Sequence, residues 1–278
     1  MVANADAIAR LLNDDDPGTV RLVKEQLATM GEDHPHLLME LANNGDESLA
    51  LLAGEVLAGI NSRCANDDFS LLCHFGGGNF DIEQAAWMLC RALHPELSTD
   101  QYEEQVNQWG REFLSRVSCA SSSADRIEYL AEFLFGELHF RGNSDCYYCE
   151  TNSLLPHVID SRKGIPISLS LVYSMVAARA GMKVEGINLP GHFIVRHGEV
   201  YFDPFHGGRI LSHRDIIQIL SRQGIEFKES HLQPASPRQF LTRILANLLY
   251  VFDLDGDYDR HARVKDWMSA ISCAVAVR

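Results

Sequence analysis

His192 and Asp203 are of the types, and at the spacing, that could run acid–base chemistry. His192 stands in Asn188-Leu-Pro-Gly-His-Phe193, and Asp203 in Tyr201-Phe-Asp-Pro-Phe-His-Gly-Gly208. An imidazole held by a carboxylate is locked in one tautomer and made more basic, which suits a general base. Such a base needs a nucleophile. The hydroxyl candidate is Ser168, in Gly164-Ile-Pro-Ile-Ser168, at the first turn of a helix where free N–H groups and the helix dipole favour an anion. With Ser168 attacking, His192 as base and Asp203 as orienter, the chain would be a hydrolase or acyltransferase. Serine is much harder to ionise than cysteine, however, and needs its base within hydrogen-bond reach. Ser168 also has a plain structural task open to it, capping or back-bonding in its own helix, and that is the expectation here.

Other residues fall near the same presumed cleft. His206 follows Asp203-Pro-Phe and precedes two glycines, so it either lines the cleft or is simply exposed. Asn188 and Asn152 are polar neighbours, and Asn152 also reads as a helix cap before Leu154-Leu155. Cys146-Tyr-Tyr-Cys149 has the spacing of a zinc or dithiol pair. Zinc would need two more ligands, with only His139 and His157 nearby. We therefore expect incidental loop cysteines and no metal, with Cys146 and Cys149 as the weaker metal-binding alternative or as a stand-in nucleophile. Gly76-Gly-Gly78 lacks a following Lys-Ser/Thr and reads as a linker rather than a phosphate loop. Asp253-Leu-Asp-Gly-Asp257 lacks the closing glutamate of a calcium loop. No cofactor is expected.

The elements that must position these residues are legible. Gly164-Ile165-Pro166 opens a helix in which Leu169, Val172, Tyr173, Val176 and Ala180 recur at helical spacing, with Gly181 as its stop. Only Arg179 is charged between Leu169 and Gly181, so most faces of that helix must be buried. Lys183–Leu189, His192–His197 and Val200–Asp203 mix apolar and polar residues at strand spacing, the last two joined by a turn at Gly198-Glu199. A buried helix feeding an antiparallel sheet is an α+β core. Around it the periodicity predicts helices at Ala7–Leu12, Val20–Leu27, His36–Leu41, Leu49–Leu57, Asp81–Leu97, Tyr102–Val117, Ala124–Leu138, His213–Leu220, Pro237–Tyr250 and Asp257–Trp267. Trp87, Trp109 and Phe113 are expected in the core.

Gly164-Ile-Pro-Ile-Ser-Leu-Ser170, Leu189-Pro-Gly-His-Phe193 and Phe202-Asp-Pro-Phe205 together resemble the SirB1-type branch of the transglutaminase-like superfamily, related in fold to papain-like cysteine proteases. The resemblance runs from about Asp81 to Gly208 and includes Phe140-Arg-Gly-Asn-Ser144. It implies a central helix packed on a small antiparallel sheet. It also implies a catalytic pattern of Cys at the start of that helix, then His and Asp on successive strands. His192 and Asp203 match the second and third members. The helix start carries Pro166, Ile167 and Ser168 and no cysteine, so the nucleophile position of the family's pattern is unmatched here. The last helix pair is similar to the tetratricopeptide-type unit that family members often place after the core. The acidic turns Asp14-Asp-Asp-Pro-Gly18 and Asn43-Asn-Gly-Asp46 set off two helix pairs in a loosely HEAT-like arrangement.

The expected division is therefore 1–78, a HEAT-like helical region; 79–211, the transglutaminase-like core; and 212–278, the tetratricopeptide-like region. At 278 residues with 46% hydrophobic composition, the chain can bury a proper core. Its net charge of −14 argues against nucleic-acid and anionic-membrane partners. Seven cysteines, several among apolar neighbours, fit a reducing compartment, and we expect a cytoplasmic protein. Two functions are carried forward: a non-catalytic regulator that binds a protein partner, and the Ser168-His192-Asp203 hydrolase. Oligomeric state is not legible.

Overall fold

The computed structural model describes residues 16–33, 35–44, 47–77, 79–117 and 122–273. The helix expected over Ala7–Leu12, Cys119, and parts of the turns expected at Asp14–Gly18, Asn43–Asp46 and Gly76–Gly78 lie outside the described residues. Contacts gather the chain into two units, Met1–Asp68 with Arg91–Leu97, and Phe69–Cys90 with Ser98–Arg278.

The described part of the first unit holds helix α1 (Pro17–Asp33), α2 (Pro35–Asn44) and most of α3 (Glu47–Phe75), whose residues from Phe69 onward belong to the second unit. Asp16 caps α1, its carboxylate accepting from the Gly18 and Thr19 amides at 3.2 and 3.1 Å. Leu27, Leu38, Leu52, Ala53 and Ile60 form the buried cluster of this unit. The stretch expected as a short helix at Leu49–Leu57 is the first part of a 29-residue helix. Gly54 and Gly59 lie inside it, and a helix interior tolerates each at a cost of about 1 kcal/mol.

Helix α4 (Ile82–Leu93), in the second unit as far as Cys90, is capped by Asp81, and α5 (Asp100–Val117) carries Trp109 and Phe113 into the core of that unit. Helix α6 (Ser123–Ala131) opens with a reciprocal Ser122–Asp125 capping box and runs on into a wider π-helical turn at Glu132–Glu137. Strand β1 (Arg141–Gly142) then pairs in parallel with β2 (Lys163–Gly164), which follows α7 (Leu155–Ser161).

Helix α8 (Pro166–Arg179) is the centre of this unit, buried on nearly every face as its composition requires. It packs on α5 and on the sheet. Its interior hydroxyls are satisfied within the helix: Ser170 Oγ donates to Pro166 O at 2.7 Å and Ser174 Oγ to Ser170 O at 2.8 Å. The Tyr173 ring lies 4.5 Å from that of Phe202 and its hydroxyl donates to Ile127 O. Arg179, its single charge, meets both Glu83 carboxylate oxygens at 2.6 and 2.8 Å. Helix α5 crosses at Gly110, where a Cβ would lie 2.4 Å from Arg179 Cβ. That close approach needs glycine.

The sheet is an antiparallel meander of β3 (Glu185–Leu189), β4 (His192–His197), β5 (Val200–Asp203) and β6 (Arg209–Leu211), in that order. Ile187 pairs with Ile194, Val195 with Phe202, and Phe202 with Ile210. Helix α9 (His213–Arg222), capped by Ser212, joins Ile216 and Leu220 to Ile187, Leu189, Ile194 and Tyr201 in one cluster. Phe193, on the opposite parity, meets Phe240 of α10 (Pro237–Asp255) at 4.7 Å. Gly256, with φ of 71°, turns the chain into α11 (Tyr258–Cys273), where Trp267 packs edge-on to Phe69 and donates to Ser70 Oγ. The protein is thus mainly helical α+β. Strands β1, β2 and β6 were not expected from sequence.

Candidate functional site

The turn at Gly191, with φ of 74°, delivers the chain into β4 at His192, and β5 runs out at Asp203 beside it. His192 Nε2 lies 2.7 Å from Asp203 Oδ2, the carboxylate being only 2% exposed. The same oxygen meets His206 Nδ1 at 2.7 Å, and Oδ1 accepts from the Phe205 and His206 amides. A carboxylate only accepts, so each ring donates from the nitrogen that faces Asp203, and the other nitrogen of His192 is Nδ1. Burial pushes Asp203 upward, but hydrogen bonds and charge from His192 and His206 outweigh it and hold the carboxyl below the usual aspartate value. The geometry can orient a base. His206 is mostly exposed and at the same time bonded to this carboxylate.

The structure does not bring Ser168 into that pair. The residue is 2% exposed, and its Oγ accepts from the Ile165 amide at 3.1 Å. Its proton goes to Asn152 O at 2.5 Å or Ile165 O at 3.1 Å. Among the described residues no hydrogen bond links it to His192. The hydroxyl serves the first turn of α8, where an amide would otherwise lack a partner. Pro166, the first residue of that helix, offers no nucleophilic atom.

Two expectations from sequence need correction. Asn152 does not cap α7, whose N-cap is Leu154. It is buried, donating from Nδ2 to Cys146 O at 2.5 Å and Tyr147 O at 3.0 Å, and accepting from Asn143. It braces the 146–149 loop rather than lining a cleft. Cys146 and Cys149 are not incidental, because they form a disulfide. Bridged sulfurs are neither thiolate metal ligands nor nucleophiles. Asn188 sits on β3 and meets Arg243 at 3.5 Å. Among the described residues, His192, Asp203 and His206 are the set whose ligand atoms converge, all within 4.8 Å of one another. The two imidazole–carboxylate hydrogen bonds account for that convergence.

A cleft of about 230 Å³ opens beside the N-cap of α8. Tyr147, Tyr148 and Cys149 wall one side, and Asn247, Tyr250 and Val251 of α10 face it, with Ser153 and Ile165 between. Asn152, Asn188 and His206 are not among its lining residues. Phe205 relates it to the histidine, its ring 5.9 Å from Tyr147 and 6.4 Å from His192. Sequence reasoning read this loop for its cysteines and passed over the tyrosines between them. The available signal was Tyr250, an aromatic on the outer face of an amphipathic helix.

Comparison with known proteins agrees with the geometry. Residues 100–246 match the family described as the transglutaminase-like superfamily. A UPF0162 protein of Xylella fastidiosa is 34% identical over 195 residues, covering 66% of this chain and 69% of the relative. A UPF0162 protein of Pseudomonas aeruginosa is 28% identical over 183 residues, covering 63% of this chain and 66% of its own length. F-box only protein 21 of Mus musculus is 25% identical over 203 residues, but the match spans only 30% of that protein. No solved structure matches. With a buried helix packed on an antiparallel meander, His and Asp at successive strand ends, and a family match across that whole core, the chain belongs to the transglutaminase-like superfamily.

Proposed function

We propose that this protein is a transglutaminase-like protein without a working nucleophile, acting as a partner-binding or regulatory factor rather than as an enzyme. One observation carries the reading: the Ser168 hydroxyl is buried and bonded to Ile165 and Asn152, while the helix start otherwise offers only Pro166 and Ile167. His192 and Asp203 then form an oriented base with nothing to activate. The finer placement within the SirB1-type branch is part of this reading. So is the division into a HEAT-like 1–78, a core of 79–211 and a tetratricopeptide-like 212–278. The α10–α11 hairpin supports the last of these, because paired helices expose a face for peptide recognition. The acidic charge favours a protein over a polyanionic partner, and no described helix is long and apolar enough to cross a membrane. A cytoplasmic site of action completes the reading.

The second reading, a hydrolase or acyltransferase on Ser168, His192 and Asp203, draws its support from the 2.7 Å His192–Asp203 contact. Steady-state assays on activated ester and amide substrates, with wild type and His192→Ala, separate the two. The partner-binding reading expects background rates from both proteins. Turnover by the wild type that is lost in His192→Ala would establish the enzyme.

A further inference from the structure

The cleft beside α8 has the makings of a ligand site. Ser153 lines it, is only 7% exposed, and its hydroxyl has no hydrogen-bond partner. A buried hydroxyl left unpaired is unfavourable, so a ligand that pairs with it removes a standing penalty. Around that hydroxyl stand tyrosine rings, with Tyr148 and Tyr250 at 4.8 Å, and the amide of Asn247. One turn before Asn247 on the same face of α10 is Arg243, which is half-buried. Its hydrogen bond to Asn188, at 3.5 Å, is at the limit of length, and among the described residues no carboxylate pairs with it. In contrast, Arg179, Arg196 and Arg260 each hold a glutamate. An arginine without an acid is unusual in a chain of net charge −14. Burial raises the Tyr147 hydroxyl and the Arg243 charge opposes that rise; Arg243 is not itself among the residues lining the cleft but stands one helical turn from Asn247, which is.

We infer that this cleft binds a carboxylate carried on an apolar or aromatic body. The carboxylate meets Arg243, the body lies among the tyrosines, and Ser153 and Asn247 take the polar atoms between them. The ligand's source rests on the partner-binding reading: the carboxyl terminus of a partner polypeptide. A free aromatic acid shares the chemistry.

Calorimetric titration with N-acetylphenylalanine, its C-terminal amide, and an acetylated alanine-rich peptide ending in phenylalanine, as free acid and as amide, tests this. The free acids are expected to saturate, with the amides about tenfold or more weaker. Arg243→Gln should erase the acid preference. Ser153→Ala should weaken binding while leaving the melting temperature of the free protein unchanged or higher. Tighter binding of the peptide acid identifies a polypeptide terminus; binding of the capped amino acid alone identifies a small acid. Equal binding of acid and amide, no saturation by either acid, or an Arg243→Gln variant that folds and binds like wild type overturns the inference. Hydrolysis of an amide probe would instead overturn the non-catalytic reading and leave the carboxylate site standing.

Discussion

Ser168 occupies the first turn of the family's central helix and spends its hydroxyl on structure. Removing it as Ser168→Ala leaves the Ile165 amide and the Asn152 carbonyl without that partner in a buried place. Stability should fall by about 1–3 kcal/mol in denaturant unfolding; no change would mean the hydroxyl is not a cap. Asp203 makes a prediction with a sign. Its native carboxyl holds its proton less tightly than an ordinary aspartate. Between the native and ordinary values the unfolded chain therefore binds more protons, so stability drops as pH falls through that window and is fully present above it. Asp203→Asn should remove this part of the acid slope when its unfolding curve is compared with wild type; an unchanged slope would contradict the assignment. His192 and Asp203 could be picked out because each stands within a distinctive motif, one at the head of a strand and one at the end of the next. The role of Ser168 was legible from helix position alone. Asn152 was misread, because a side chain bonding back to carbonyls five and six residues earlier leaves no periodic trace.

Helix α8 could be read because an almost uncharged run bounded by Pro166 and Gly181 has few other folds. Strands β3 to β5 followed from their alternation. Two-residue strands such as β1 and β2 carry no period to detect, and β6 spans only three residues. The α5–α8 crossing at Gly110 is equally silent in sequence. Gly110→Ala places a methyl 2.4 Å from Arg179 Cβ, so the helices must part. A loss of about 1–3 kcal/mol is expected from overpacking, read as a lower melting temperature. The 146–149 loop depends on its disulfide and on Asn152. Reduction should speed amide exchange there while leaving α8 protected; uniform exchange before and after would show that the bridge does not hold the loop.

For the molecule as a whole, the cleft draws on residues from Tyr147 to Val251, about a hundred positions apart, so only the folded chain displays it. On the reading proposed above, the superfamily's His and Asp persist here without a nucleophile. Intact-protein mass spectrometry after incubation with a fluorophosphonate, which labels activated serines, tests it most directly. Wild type and His192→Ala are both expected to keep an unmodified mass. A stoichiometric adduct mapped to Ser168 in the wild type, and absent in His192→Ala, would contradict it and make this protein a serine-dependent enzyme.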